Sequence, residues 1–311
     1  MRLLPALPIL AGCVSNPAVE HLAAYRGSYS VVVVGADDRD LHLQTPAGVL
    51  TRQDALTGEV FDRFDPLPRG PERLHDVLEA GGEARVLASG PDAFFDWQGD
   101  RVAEPLPAGA DAQGVIGARA LDWGVAVLRD DEDAGCGVDW IRGGDVDTVP
   151  LPPAACDPSA CVQGDRSGDR LLVVTADAGW SVTPTDAIDF LPVGGACAWD
   201  ATAGTLVTAR PGDPLVSARD ADGLELWATD LARPVTALSD LGTAGLIAVT
   251  LDKGAAGQLL LLDSATGDPV SAVELPRPAE GLAGGGDAGL LALWRTDELH
   301  VLRVEGRRRL Q

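Results

Sequence analysis

Short apolar runs broken by polar, glycine-containing turns extend along most of the chain. In one clear stretch the runs are Val235 to Leu238, Leu246 to Leu251, Gln258 to Asp263 and Pro269 to Leu275. Runs of this length, bounded by turn residues, predict β-strands rather than helices. Only the segment Glu72 to Glu79 fits a short helix as well as it fits a strand.

The strands recur with a period of about 40 residues. Segments that close on an apolar residue and a proline, with one degenerate copy, end at positions 68, 107, 152, 192, 232 and 276, which are 39, 45, 40, 40 and 44 residues apart. A second marker has the same period, namely a glycine just before an apolar strand, at Gly82, Gly124, Gly168, Gly204, Gly245 and Gly289. Agreement between two independent markers indicates a true repeat.

Each repeat holds four short strands, which is the content of one β-propeller blade. The 275 residues from Ser30 to Val304 have room for seven such units. We therefore predict an all-β protein, a β-propeller of seven four-stranded blades. The last copy, Gly281 to Val304, has only three strands, and we expect Val19 to Tyr25 to supply the fourth. Pairing of the two chain ends would close the ring and remove exposed sheet edges.

Two turns share the pattern Asp-x-x-Thr-Gly, at Asp54 to Gly58 and at Asp263 to Gly267, and Asp220 to Gly223 is a looser copy. In such a turn the aspartate caps the backbone and the glycine adopts a positive φ. With these turns the repeats resemble the PQQ-like and YVTN-type propeller families, and the resemblance implies a fold rather than a reaction. In quinoprotein dehydrogenases the turn leads to a tryptophan that packs between blades. Trp227 stands in that place, so we expect it to have a packing role.

The N-terminus has the order of a secretory signal, with Arg2, an apolar stretch from Leu3 to Leu10, and small residues before Cys13. Leu10-Ala11-Gly12-Cys13 resembles the lipobox of bacterial lipoproteins, in which the cysteine receives diacylglycerol and becomes the N-terminus. The alternative is an ordinary apolar N-terminus with a chance cysteine. The resemblance implies a signal peptide over 1–12 and a lipidated tether over 13–18. The repeats place the propeller over 19–306, and a basic tail over 307–311 follows it. Val14, rather than aspartate, after the cysteine resembles the sorting pattern for the outer membrane.

The formal net charge of −23 disfavours binding to nucleic acid, because an acidic surface repels phosphate. No later stretch reaches 18 apolar residues, so the lipid is the only membrane anchor that the sequence predicts. The predicted location is the cell envelope, with the outer membrane favoured and either the periplasmic or the external side open.

Four cysteines remain after Cys13, and an even number in an exported chain suggests disulfides. The blade frame places Cys136, Cys156, Cys161 and Cys197 on one face, around blades three to five. Cys161 and Cys197 occupy matching positions in neighbouring blades, which favours Cys161–Cys197 with Cys136–Cys156. A Cys156–Cys161 bond, reduced thiols and a zinc site remain alternatives.

No sequence motif assigns a catalytic, cofactor-binding or metal-binding residue. The four histidines, at positions 21, 42, 75 and 300, are far apart in sequence and suggest isolated surface side chains. The acidic runs Asp37-Asp38 and Asp130 to Asp133 suit solvated hairpin tips, with calcium binding as the alternative.

The sequence therefore predicts a lipoprotein whose propeller binds an unidentified protein or small molecule without catalysis. One rival is a role in outer-membrane assembly like that of the propeller lipoprotein of the Bam complex, although that family has eight blades. The rival from another class is a lactonase-like or quinoprotein-like enzyme that uses the central channel. An acidic and histidine-rich channel would favour the enzyme, and a channel of alanine, glycine and valine would favour binding.

Overall fold

The computed structural model describes residues 18–35, 39–64, 73–80, 83–89, 94–98, 104–105, 114–131, 133–143, 145–164, 169–190, 194–200, 203–241, 245–285 and 289–305. Within these ranges the chain forms 28 strands and one 3₁₀-helix (Pro153–Cys156). The strands assemble into seven four-stranded antiparallel sheets. The architecture is therefore an all-β propeller.

The sheets are described below as blades, in chain order. The first strand, β1 (Val19–Arg26), belongs to the sheet that closes the ring. Blade 1 contains β2 (Val31–Val34), β3 (Asp40–Gln44), β4 (Leu50–Asp54) and β5 (Val60–Phe64). Blade 2 contains β6 (Arg73–Ala80), β7 (Glu83–Ser89), β8 (Phe94–Gln98) and β9 (Glu104–Pro105). Blade 3 contains β10 (Val115–Leu121), β11 (Gly124–Asp131), β12 (Gly135–Arg142) and β13 (Asp145–Pro150).

The 3₁₀-helix follows blade 3. Blade 4 contains β14 (Cys161–Gly164), β15 (Leu171–Val174), β16 (Gly179–Thr183) and β17 (Asp186–Phe190). Blade 5 contains β18 (Ala196–Asp200), β19 (Thr205–Ala209), β20 (Leu215–Asp220) and β21 (Glu225–Asp230). Blade 6 contains β22 (Val235–Asp240), β23 (Leu246–Asp252), β24 (Gly257–Asp263) and β25 (Pro269–Leu275). The closing blade contains β26 (Gly281–Gly285), β27 (Leu290–Trp294), β28 (Glu298–Val304) and, as its outer strand, β1.

The closing blade is drawn from both ends of the described chain. β1 pairs antiparallel with β28, from Val19 opposite Val304 to Arg26 opposite Glu298. Only the other six sheets are each built from four consecutive strands. The sequence count of seven repeat units is therefore corrected to six contiguous four-stranded blades, and the seventh sheet is a composite. The physical reason is that a repeat whose outer strand lies at the N-terminus can be completed only by joining the two chain ends.

The ambiguous segment near Glu72 is a strand, because Arg73–Ala80 pairs with β7 along its whole length. The glycine markers fall at one hairpin, between the first and second strands of a blade. Gly204, Gly245 and Gly289 have φ values of +63°, +62° and +65°, a region that favours glycine. Gly124 differs, since it is the first residue of β11 rather than a left-handed turn residue. Gly82 and Gly168 lie outside the described residues.

The hydrophobic core lies between blades rather than inside them. Seven clusters of buried apolar residues each join two neighbouring blades. One cluster, for example, packs Val207 and Val216 of blade 5 against Val249 and Leu262 of blade 6. Alternating strand residues reach the two faces of each sheet, so every blade contributes to two clusters. This explains why strands near the centre, such as β2 and β15, are apolar at every position.

The Asp-x-x-Thr-Gly turns have the predicted geometry. Asp54 Oδ1 accepts hydrogen bonds from the backbone N–H groups of Leu56 and Thr57, both at 2.8 Å, and Gly58 has a φ of +71°. Asp263 caps the turn that ends at Gly267 in the same way, and Asp220 caps its looser copy. The turns join the third and fourth strands of blades 1, 6 and 5.

Each of these turns receives an aromatic side chain from the preceding blade. Trp227 donates its Nε1–H to the Ser264 carbonyl at 2.9 Å, and a Cβ added at Gly267 would lie 2.4 Å from the Trp227 ring. The expected packing role of Trp227 is therefore confirmed. Phe190 covers Gly223 and Tyr25 covers Gly58 in the same way, with the added Cβ at 2.5 Å in both cases. The turn glycine is thus required both for its φ and for room between blades.

A pH-dependent contribution to stability is expected from Asp54. The Arg39 guanidinium and the Thr57 N–H hold the pKa of Asp54 at about 2, below its ordinary 3.8. A lowered folded-state pKa stabilises the protein above pH 4, and this stabilisation is lost as the pH falls towards 2. Asp54→Ala should lower the free energy of unfolding at neutral pH by about 1 kcal/mol, the size of a lost backbone cap.

Asp54→Asn is the matched variant, because its side-chain oxygen still accepts the backbone hydrogen bonds but does not titrate. Urea unfolding from pH 7 to pH 2 should give a difference between wild type and Asp54→Asn that shrinks as the pH falls. A constant difference over that range would show that Asp54 does not act through its charge.

Candidate functional site

Four cysteines form two disulfides at one end of the propeller. Cys136 is bonded to Cys156, and Cys161 is bonded to Cys197. This is the pairing that the blade frame favoured. Cys136 follows the turn between the second and third strands of blade 3, and Cys156 ends the 3₁₀-helix. Cys161 and Cys197 lie at the starts of inner strands β14 and β18.

All four cysteines lie on one face of the propeller, the face that carries the links between blades and the turns between second and third strands. We call it the disulfide face. The predicted lipidation site, Cys13, lies outside the described residues.

A groove of about 930 Å³ lies on the disulfide face, across blades 5, 6 and the closing blade. Its walls come from the β19–β20 turn, the start of β22, the link before β26 and the β27–β28 turn. Backbone hydrogen bonds fix these walls to each other, since Gly212 N–H donates to the Val235 carbonyl and Val235 N–H donates to the Asp213 carbonyl, both at 2.9 Å. The lining residues are Pro211, Gly212, Pro234, Val235, Thr236, Asp252, Arg277, Pro278, Ala279, Glu280, Arg295, Thr296 and Asp297.

The groove offers charges of both signs and little mobile backbone. Three prolines stiffen its rim, and Thr296 Oγ1 donates to Glu280 Oε1 at 2.7 Å across the wall. Arg277 is exposed, and its Nη1 lies 4.0 Å from Asp297 Oδ2, which is too far for a hydrogen bond. Its guanidinium is therefore available to a ligand. A groove with prolines at its rim and charges of both signs can hold a polar chain segment.

A second, smaller cavity of about 280 Å³ lies beside the groove, between blade 6 and the closing blade. We call it the side pocket. Its walls are mostly apolar, and Arg277 and Arg295 line both cavities. The residues of the side pocket are Val19, His21, Val273, Glu274, Leu275, Pro276, Arg277, Ala279, Leu293, Trp294, Arg295, His300 and Leu302.

Two histidines meet in the side pocket, which corrects the prediction of isolated surface histidines. His21 Nε2 lies 3.2 Å from His300 Nδ1, and the rings meet edge to face. The antiparallel pairing of β1 with β28 places them on one surface, although 279 residues separate them. The expected pairing of Val19 to Tyr25 with the last strand was the sequence signal that could have revealed this contact.

Neither of the other two histidines is an exposed side chain. His42 is buried in β3. His75 Nε2 lies 2.8 Å from Ser89 Oγ, which is the spacing of a nucleophile and its base. However, burial and the Arg73 charge lower the pKa of His75 to about 3. Such an imidazole is a weak base at neutral pH, so this pair is a poor candidate for catalysis.

In the acidic run at Asp130 to Asp133, the first two residues end β11, and Asp131 caps the turn that follows. Asp131 Oδ1 accepts the N–H groups of Asp133 and Ala134, at 2.9 and 2.8 Å, and its other oxygen binds Arg129. These backbone hydrogen bonds lower the pKa of Asp131. Asp37 and Asp38 lie outside the described residues. Among the residues that the structure does describe, no three His, Cys, Asp or Glu side chains converge on a possible metal position.

Inner strands of three neighbouring blades approach closely through glycine. A Cβ added at Gly284 would lie 2.3 Å from the Asp240 carbonyl of β22, and one at Gly285 would lie 3.2 Å from the Val34 carbonyl of β2. Both glycines belong to β26. These inner strands read Val-Val-Val-Val in β2 and Gly-Leu-Ala-Gly-Gly in β26.

Comparison with known proteins supports the class of fold, a β-propeller. No protein-family model and no curated protein matches the chain. Among solved structures, BamB from Moraxella catarrhalis is similar over 92% of this chain and 100% of that one, with 16% identity and a TM-score of 0.56. The β-propeller domain of Cps50 (Swd1) from Myceliophteria thermophila is similar over 92% of this chain and 99% of that one, with 13% identity and a TM-score of 0.68. At such low identity these similarities show the fold alone.

No helix in the described ranges is long and apolar enough to span a membrane.

Proposed function

We propose that this protein is a lipid-anchored propeller of the cell envelope that binds a protein partner without catalysis, through the groove on its disulfide face. The observation that carries the proposal is the position of the groove. It is the larger of the two cavities described above, and it opens on the face that the two disulfides brace. In this proposal residues 1–12 are a signal peptide, and Cys13 carries the lipid.

The disulfides support export. Stable disulfides persist in oxidising compartments and are rare in the cytosol. Both bonds tie blades or links that are distant in sequence, with separations of 20 and 36 residues, so they act as structural braces. Their presence agrees with the lipobox-like Leu10-Ala11-Gly12-Cys13 segment. Similarity to BamB supports the same kind of propeller, and the envelope role is our proposal for this chain.

The groove supports a protein partner rather than a small substrate. It spans three blades and offers carboxylates at Asp252, Glu280 and Asp297 beside two arginines. Mixed charges at an exposed rim set orientation and specificity in protein interfaces. In the enzyme alternative, a base of suitable pKa should face a cavity, and His75 with a pKa of about 3 does not meet that requirement.

Site-specific photo-crosslinking in the native host tests the proposal. A photo-reactive residue is placed at Pro211 or Asp297 in the groove, in the full-length protein. The matched controls are Asp222 and Ala265, which are exposed in hairpin turns at the opposite face of blades 5 and 6. We expect one discrete crosslinked protein from both groove positions and none from the controls.

Crosslinks of equal yield and pattern from both faces would contradict the groove as the binding site. If neither groove position gives a crosslink, in a protein that reaches the membrane fraction, the result would contradict a protein partner in the groove.

A further inference from the structure

We infer that the side pocket is a binding site for a compact apolar molecule that carries one carboxylate. This inference does not depend on the proposed function, because it concerns a different cavity and a different ligand class, although Arg277 and Arg295 line both cavities. It rests on the walls of the pocket, on the basic side chains around it, and on an arginine with an unused donor.

The walls of the pocket are apolar and held in place by packing. Leu275 of blade 6 faces Leu293 and Leu302 of the closing blade across a volume of about 280 Å³. The Trp294 ring is fixed against Gly281, where an added Cβ would lie 2.1 Å from it. Ligand sites are usually preformed cavities of this kind, with apolar walls and a few polar groups. The volume is at the small end of the usual range, which selects a compact ligand.

The polar groups of the pocket are mostly basic. His21, Arg277, Arg295 and His300 line it, in a chain whose net charge is −23. The acidic residue among the lining side chains, Glu274, is already bound by Lys253 at 2.7 Å and by Gln258 at 3.2 Å. Four basic residues and one acidic residue line the pocket, an arrangement that is complementary to an anion.

Arg295 provides the strongest argument for a carboxylate. It is buried, its Nη2 donates to Glu298 Oε1 at 2.6 Å, and its Nη1 has no acceptor in the described part of the chain. A buried donor without an acceptor costs free energy, and more so in a charged group. Nη1 is also shielded from solvent. A ligand carboxylate therefore supplies the missing acceptor after a small shift of the guanidinium, and it can be held by a fork of two N–H donors.

The remaining basic residues complete the site. His300 Nε2 is also buried without a hydrogen-bond partner and lies 3.6 Å from Glu298 Oε1. Arg277 stands at the mouth, exposed, where the groove and the side pocket meet. The geometry places the carboxylate near the two arginines and the apolar body between Leu275, Leu293 and Leu302.

Calorimetric titration of the folded full-length protein tests this inference, with octanoate as the probe. Octanol and octylamine are matched neutral and cationic probes of the same length. We expect saturable binding of one octanoate per chain, and at least tenfold weaker binding of the other two probes. Arg295→Gln should weaken octanoate at least tenfold, whereas Arg210→Gln, an exposed arginine outside both cavities, should leave it unchanged.

Val273→Phe is a second variant, because it fills the pocket without removing a charge and keeps the test valid if Arg295→Gln does not fold. It should abolish octanoate binding. A peptide that ends in leucine, compared as free acid and as amide, distinguishes a free small carboxylate from a protein C-terminus as the source. Octanol binding as tightly as octanoate, or octanoate binding unaffected by both variants, would overturn the inference.

Discussion

Replacing Cys161 and Cys197 by serine is expected to lower the free energy of unfolding by about 4 kcal/mol. The bond closes a loop with a sequence separation of 36 residues, and it joins the inner strands of blades 4 and 5. Removing it restores conformational freedom to the unfolded chain. A loss of this size is a large part of the roughly 5–15 kcal/mol that stabilises a typical domain.

Urea unfolding of the oxidised wild type and the double variant measures the loss. The Cys136→Ser/Cys156→Ser pair is the matched comparison, and its shorter loop, with a separation of 20 residues, predicts a smaller loss of about 3 kcal/mol. Reductant should lower the stability of the wild type and leave a variant without these four cysteines unchanged. Wild-type stability that does not respond to reductant would contradict the two bonds.

The second large effect is expected at Gly267. Gly267→Ala should lower the free energy of unfolding by about 3 kcal/mol, from two physical causes. The glycine has a φ of +73°, which costs an alanine about 1–2 kcal/mol. Its new methyl group would also lie 2.4 Å from the Trp227 ring, and such overpacking costs about 1–3 kcal/mol.

Gly204→Ala separates the two causes. Gly204 has a similar φ of +63°, but no heavy atom lies within 4 Å of the added Cβ. It should therefore lose only about 1 kcal/mol, the cost of the backbone conformation. Equal losses in the two variants, measured by urea unfolding, would mean that Trp227 does not pack against the turn as described.

Local patterns predicted much of the fold. The period of about 40 residues gave four strands per unit, and the Asp-x-x-Thr-Gly turns predicted both the Asp54 cap and the glycine φ. The missing strand of the last copy predicted the pairing of β1 with β28. The count of seven repeat units was wrong, because only six sheets are built from four consecutive strands and the seventh joins the two ends of the chain.

The candidate site was predicted less well, because its contacts are not local. The face shared by the cysteines followed from strand polarity alone, so Cys161 and Cys197 could be placed together. The His21–His300 contact depends on the register of β1 against β28, and a bulge between His21 and Ala23 shifts that register by one residue. The missing acceptor of Arg295 depends on atomic packing, for which the sequence has no pattern.

We propose that this protein is an exported, lipid-anchored propeller that presents a disulfide-braced face in the envelope. Mass spectrometry of non-reduced peptides from the membrane fraction of the native host tests it most directly. We expect an N-terminal peptide that begins at Cys13 and carries acyl chains, together with linked peptides containing Cys136–Cys156 and Cys161–Cys197. An unmodified chain that begins at Met1 and contains four free thiols would contradict it.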